Sequence, residues 1–344
     1  MLNNPLPTPQ ATRRLALQLA ATSLAAPVFQ GCAASQADSG EAPAAVQQAV
    51  ARFVALSPAT SGVLVQSYSS AGGWKAAYQP DTQLFVGSAV KTFILAQFLR
   101  DVETGYGGAS ENAQCTISDT VRSPGSAVFA GLNGQTPYRS ALEAMITHSD
   151  NTATDIALGQ VGPERVRGLI SEAGLTQTRI PDSTRKLFSY LAGAPSGTDL
   201  GWQGMLALDR GDPSGLTARK DVINEHQSML SSASEMVRWY HTSLSGKFFQ
   251  KTQTLTEYKR IHAMADAIWL AIPPDVHAFG KGGSIDWEGF HCLSFPGQML
   301  VGDIPVGFSF ILNWTDGASS VERTQEFIGA AADVLNKAIE ALKH

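Results

Sequence analysis

Ser88 stands three residues ahead of Lys91 at the head of an apolar run, Thr92-Phe93-Ile94-Leu95-Ala96-Gln97-Phe98-Leu99. On a helix that spacing puts a hydroxyl and an amine on one face, within reach of each other. The pair reads as a nucleophile with its own base. A helix start also offers backbone N–H groups to a developing oxyanion, and apolar surroundings lower a lysine pKa toward that of a useful base. Alone the pattern is weak, because a surface Ser/Lys pair one turn apart has the same signature.

Two further stretches add polar groups of the right kind. Ser149-Asp150-Asn151 closes the helical pattern Tyr138–Ile146, and Lys281-Gly282-Gly283-Ser284 follows Ala278-Phe279-Gly280 in a segment that reads as a strand. Singly, each has a plainer reading: the first as a helix-ending or turn tripeptide, the second as a turn. In this order and on these elements they match a known set, Ser-x-x-Lys, Ser-Asp-Asn and Lys-Thr-Gly. The chain therefore resembles the class A β-lactamase-like serine hydrolases, the superfamily of β-lactamases and penicillin-binding proteins, over about residues 45 to 342. The third motif departs from the usual pattern, with Gly282 where the family has Thr or Ser.

The resemblance implies roles that agree with the chemistry of the residues. Ser88 attacks a carbonyl, Lys91 accepts its proton or holds the water that does, and Ser149 relays a proton to the leaving nitrogen. Asn151 can turn one end of its amide to Lys91 and the other to a substrate amide. Lys281 brings positive charge near Ser149 and the substrate carboxylate. Gly282 and Gly283 leave the strand edge bare, so that substrate can lie close to it. The N–H groups of Ser88 and Ser284 would form the oxyanion hole.

Three departures concern the second half of the reaction. Class A enzymes carry a loop glutamate that activates the deacylating water, but residues 178–188 hold none, and its expected place falls near Thr184. Asp182 is the nearest acid, readable either as a shorter deacylation base or as a turn or cap residue after Pro181. Residues 189–219, rich in Gly and Pro, read as an elaborated loop over the site. The strand beginning at Phe290 has no arginine to hold a substrate carboxylate, and His291 falls at about that place. Acylation is thus better supported than rapid deacylation. A β-lactam-hydrolysing serine acyl-hydrolase is the leading expectation; an esterase or peptidoglycan-type peptidase, or a slowly deacylating penicillin-binding sensor, is the alternative.

The elements that must position these groups follow from periodicity. Val46–Leu56 reads as a first helix, and residues 62–68 and 74–78 as strands joined by a glycine-rich hairpin. Helices then run to about Met264. Strands return at residues 277–285, 290–300 and 306–314, and an amphipathic helix spans Ser320–Leu342. The expected fold class is α+β, an antiparallel sheet flanked by N- and C-terminal helices plus an all-helical lobe, with the site at their junction.

Residues 1–32 read as an export signal: the pair Arg13-Arg14, a short apolar core, and Cys32 after Gly31. Either Cys32 takes lipid and tethers the chain to a membrane, or ordinary cleavage near Ala33–Ser35 discards it. Residues 33–45 read as a flexible tether and 46–344 as the catalytic domain, periplasmic or extracellular after export. Loss of the two arginines takes the net charge from −5 to −7, which does not invite nucleic acid. A small molecule, the β-lactam or a related ester or amide, is the expected partner, and the chain is expected to be a monomer. No Cys/His spacing fits a metal site, and no cofactor is expected. Cys115 and Cys292 read as unpaired.

Overall fold

The computed structural model describes residues 40–57, 60–211, 215–315 and 317–343. The expected signal segment and Cys32 lie outside these residues. The described residues form eleven strands: β1 Gly40–Glu41, β2 Ser61–Ser67, β3 Trp74–Tyr78, β4 Leu84–Phe85, β5 Gln114–Ile117, β6 Gly134–Pro137, β7 Leu230–Ser231, β8 His277–Gly280, β9 Gly283–Trp287, β10 Phe290–Val301 and β11 Ile304–Thr315. Helices α1 Ala44–Val54 and α11 Ser320–Leu342 flank the strands. Between β4 and β8 come α2 Lys91–Thr104, α3 Tyr138–Thr147, α4 Asn151–Val161, α5 Pro163–Glu172, α6 Thr184–Leu191, α7 Gly201–Asp209, α8 Ala233–Leu244, α9 Thr252–Ala263 and α10 Asp266–Ala271.

The main sheet has the order β1-β3-β2-β11-β10-β8, and β9 also pairs with β10. All of its pairings are antiparallel except that of β1 with β3. This is the α+β class expected from the sequence. The end of the expected tether is a correction: Gly40 and Glu41 pair with Trp74 and Lys75, and α1 begins at Ala44.

β11 is buried on both faces, which explains its continuous apolar run in place of strict alternation. On one face Phe310 meets Phe53 of α1 at 5.1 Å between ring centroids, and Phe53 meets Phe327 of α11 at 5.4 Å. The alternate residue Gly307 faces α8, so closely that an added Cβ would lie 2.8 Å from Val237 Cγ1. The sheet is thus a rigid layer between the terminal helices and α8. A capping box at Ser319 and Glu322 starts α11.

The edge that carries the third motif is interrupted. β8 and β9 share one register against β10, with Gly280 opposite Gly297 and Gly283 opposite Ser294. Lys281 and Gly282 fall between them, where Pro296 accepts a bond from Lys281 N–H at 3.2 Å but has no N–H to return. The expected single strand over 277–285 is therefore two strands around a break at Lys281.

Candidate active site

Ser88 sits on a 3₁₀ turn, Gly87–Val90, and the α-helix begins at Lys91 rather than at Ser88. The strand leading into that turn is pinned by side chains from the sheet. Asn313 of β11 accepts from Phe85 N–H and donates to Phe85 O, both at 2.9 Å. Cys292 Sγ donates to Phe85 O at 3.1 Å, and Ser294 Oγ donates to Val86 O at 2.6 Å. These contacts span more than 200 residues of sequence, so no local pattern could reveal them. They fix the backbone from which the Ser88 side chain projects.

Lys91 is fully buried. Its Nζ donates to Ser149 O at 2.6 Å, to Ser149 Oγ at 3.2 Å and to Asn151 Oδ1 at 2.7 Å. Burial, and next the nearby charge of Lys281, hold its pKa well below the usual lysine value, against an opposing pull from Asp150 and Asp155. None of its three bonds goes to Ser88. Lys91 sits one turn on from the half-buried Ser88, and its head group is organised by the second motif.

The second motif owes its geometry to Ser149 and Asp150. Ser149 adopts φ +61°, a left-handed conformation uncommon for a side-chain-bearing residue, and with it presents both its carbonyl and its hydroxyl to Lys91. Asp150 is buried; one carboxylate oxygen caps α4 through Ala153 N–H, and the other accepts from Val128 and Phe129 N–H, each at 2.8 Å. Asn151 spends one amide hydrogen on Pro124 O at 2.6 Å, which leaves the second for another partner. The loop around Pro124, unnoticed in the sequence, thus sets the direction of Asn151.

Lys281 is buried and its Nζ donates to Gly282 O at 2.7 Å. Burial lowers its pKa to about 7, with Asp266 pulling the other way. Gly283 packs directly on the 3₁₀ turn of Ser88: a Cβ there would lie 2.8 Å from both Ser88 N and Ala89 N and 2.1 Å from Val86 O. On the other side, a Cβ at Gly87, whose φ is +54°, would lie 2.9 Å from Ser284 N. The two glycines let the backbones carrying the Ser88 and Ser284 N–H groups approach with no side chain between them.

Ser149, Lys281, Gly283 and Ser284 line one cavity of about 230 Å³ between the edge of the sheet, α10 and α11. Ser88 adjoins them through Gly283, and Lys91 and Asn151 through Ser149. Asp182 is not brought to this group. Its carboxylate accepts from Arg167 at 2.6 Å and from Gln227 Nε2 at 2.9 Å, with Lys186 at 3.9 Å, and Arg167 and Gln227 hold its pKa below the usual carboxylate range. An acid so paired is a poor proton acceptor, so of the two roles open to Asp182 the structural one fits and that of a deacylation base does not.

Thr184 is the loop residue that reaches the second motif. Its N–H donates to Asp155 Oδ1 at 2.6 Å, and its buried hydroxyl bonds Ser123 Oγ at 2.8 Å and Asn151 O at 3.3 Å. Arg185 grips Asp199 with two bonds, at 2.7 and 2.6 Å, and fixes the following segment. The expected loop over 189–219 contains α7 and returns along β9, where Trp287 Nε1 donates to Arg219 O at 2.9 Å. His291 lies on β10 as expected, where it pairs with Asp286 at 2.6 Å and stacks on Trp314 and does not line the cavity. Among the described residues, no group of three His, Cys, Asp or Glu side chains is placed to hold a metal ion.

The chain belongs to the beta-lactamase enzyme family, whose sequence profile matches residues 45–286. Its fold is similar to that of PBP-A, at 16% identity and TM-score 0.65 over 88% of this chain and 98% of that one. It is also similar to the chromosome-encoded β-lactamase of Vibrio parahaemolyticus, at 18% identity and TM-score 0.64 over 85% and 98%. A variant of the class A β-lactamase of the last common ancestor of Gram-negative bacteria gives 18% and 0.64 over 88% and 100%. A comparison with curated proteins finds no match. Family and fold together make the chain a β-lactamase-like serine hydrolase.

Proposed function

We propose that the chain forms an acyl-enzyme at Ser88 and releases it slowly. The observation that carries this reading is Lys91, fully buried with a depressed pKa and bonded to Ser149 and Asn151. Neutral Lys91 keeps two N–H bonds, to Ser149 O and Asn151 Oδ1, and turns its lone pair toward the Ser149 hydroxyl; Ser88 Oγ attacks the carbonyl carbon, and its proton reaches Lys91 through an intervening water. The oxyanion is received by the N–H groups of Ser88 and Ser284. As the C–N or C–O bond breaks, the leaving atom takes the Ser149 proton, and Ser149 regains one from Lys91, so the site ends the half-reaction with its protons restored.

Family membership makes a β-lactam ring the first acyl donor to test, and an ester undergoes the same chemistry. A mutant of the neighbour PBP-A is described as an acyl-enzyme complex with penicillin G, which supports trying that compound. Persistence of the adduct is favoured by Thr184, a hydroxyl without basicity at the loop position that touches Asn151. Export through residues 1–32, with or without a lipid on Cys32, places the reaction outside the cytoplasm in the same proposal. Intact-mass measurement during incubation with penicillin G and with phenyl acetate tests it. One acyl mass on the wild type and none on Ser88→Ala is expected; an adduct on Ser88→Ala, or no adduct from either compound, overturns it.

A further inference from the structure

The loop of residues 119–133 aims Asn151, and two guanidinium groups hold that loop at its ends. Arg122, buried, donates to Phe129 O at 2.7 Å, to Leu132 O at 2.8 Å and to Asn133 Oδ1 at 2.8 Å, which ties down the closing end. Arg185 of α6, also buried, donates to Asp119 O at 3.1 Å, Thr120 O at 2.8 Å and Arg122 O at 2.9 Å, which ties down the opening end. Between the two grips lies the stretch that touches the site. There Ser123 Oγ bonds Thr184 Oγ1 at 2.8 Å and Pro124 O accepts from Asn151 Nδ2 at 2.6 Å. Gly125, at φ +75°, leaves room for that amide, since a Cβ there would lie 2.7 Å from Asn151 Nδ2.

Two buried cations need counter-charge, and the loop itself contains a single acid, Asp119. Asp119 pairs with Arg122 at 3.0 Å. The acid bonded to the Arg185 guanidinium is Asp199, through Nε at 2.7 Å and a terminal nitrogen at 2.6 Å. Asp199 belongs to the inserted segment 189–219, and so does Trp202 of α7, whose ring centroid lies 5.8 Å from the Arg122 guanidinium carbon. The insertion thus supplies the missing carboxylate to one grip and an aromatic face to the other. None of its described residues lines the cavity that holds Ser149 and Lys281.

Resting on the acyl-enzyme reading, we propose that the inserted segment is a brace: through Asp199 on Arg185 and Trp202 on Arg122 it holds the 119–133 loop so that the second amide hydrogen of Asn151 meets an amide in the acyl half of the substrate. Asp199 and Trp202 are positioning residues, acting through the two arginines and the loop. The consequence depends on the substrate. A donor with an amide in its acyl half loses a contact when the brace fails. A plain ester has no such contact to lose, and Lys91 retains its bonds to Ser149, so its attack by Ser88 is spared. A general weakening of the fold would slow both alike.

Rates of Ser88 acylation by penicillin G, which carries a side-chain amide, and by phenyl acetate, which carries none, test the brace when followed by intact mass. Asp199→Ala, at an exposed position, is expected to slow penicillin G about tenfold and phenyl acetate less than about twofold. Trp202→Ala, a second and independent variant, is expected to slow penicillin G about threefold with phenyl acetate unchanged, and Trp202→Phe, which keeps a ring face, to restore the wild-type ratio. Equal slowing of the two donors, or penicillin G at the wild-type rate in both alanine variants, overturns the proposal. The wild type separates the two readings. If neither compound acylates its Ser88, the acyl-enzyme falls and the brace with it; if both do and the variants fail to divide them, the brace alone falls.

Discussion

Two lysines in one buried site are tuned to be less basic than usual, and each is tuned by burial first. For Lys281 the consequence is measurable. Its folded pKa is lowered to about 7 against an ordinary value near 10.4, so between those limits the unfolded chain binds more protons than the folded one. Stability therefore rises with pH across that window, and the full cost of burying the charge applies below it. Lys281→Met removes one such proton, so the slope of unfolding free energy in urea between pH 7.5 and 9.5 should fall by about 1.4 kcal/mol per pH unit. Equal slopes in the two proteins would contradict the buried position of the amine. At this scale the sequence was informative about type and spacing: Ser88, Lys91, Ser149, Asn151 and Lys281 are legible as motifs. The groups that aim them, Asn313 on Phe85 and Asp150 on the loop at Val128, were not, since their partners are fixed only by the tertiary fold.

Among the elements, the decisive contact is backbone on backbone, where β9 meets the 3₁₀ turn of Ser88. A Gly283→Ala methyl would sit 2.1 Å from Val86 O, an atom held by Ser294, so it cannot be accommodated by a side-chain rotation. The turn or the strand must move instead. Labelling of Ser88 by a fluorophosphonate should slow by about a hundredfold or more, as for loss of an oxyanion donor, with about 1–3 kcal/mol lost from stability in urea. Labelling at the wild-type rate would show that Gly283 does not shape the oxyanion hole. Alternation and helical periodicity revealed most of these elements, including the closing helix from Ser320. They missed the short-range details: the 3₁₀ turn that replaces the first turn at Ser88, and the break at Lys281, which depends on Pro296 in the neighbouring strand.

Across the whole molecule, the sheet between the terminal helices and α8 supplies rigidity, and the helical segments bring the second motif to its edge. Stability rests on that packing, since Cys115 and Cys292 are both free and buried. Adding a reductant should leave the unfolding midpoint unchanged, and a fall on reduction would reveal a covalent link that is absent among the described residues. The α+β architecture was legible because strands, helices and strands again follow one another with distinct periodicities. The cavity was not, because its wall draws two or three residues each from α3, α10, β10 and α11, which only the tertiary fold brings together. The central claim, that these distant segments make Ser88 uniquely nucleophilic, is tested most directly by peptide mapping after brief exposure to a fluorophosphonate at neutral pH. The adduct is expected on Ser88 alone, with a large loss of rate in Lys91→Met; modification of another serine, or full-rate labelling without Lys91, would contradict the account.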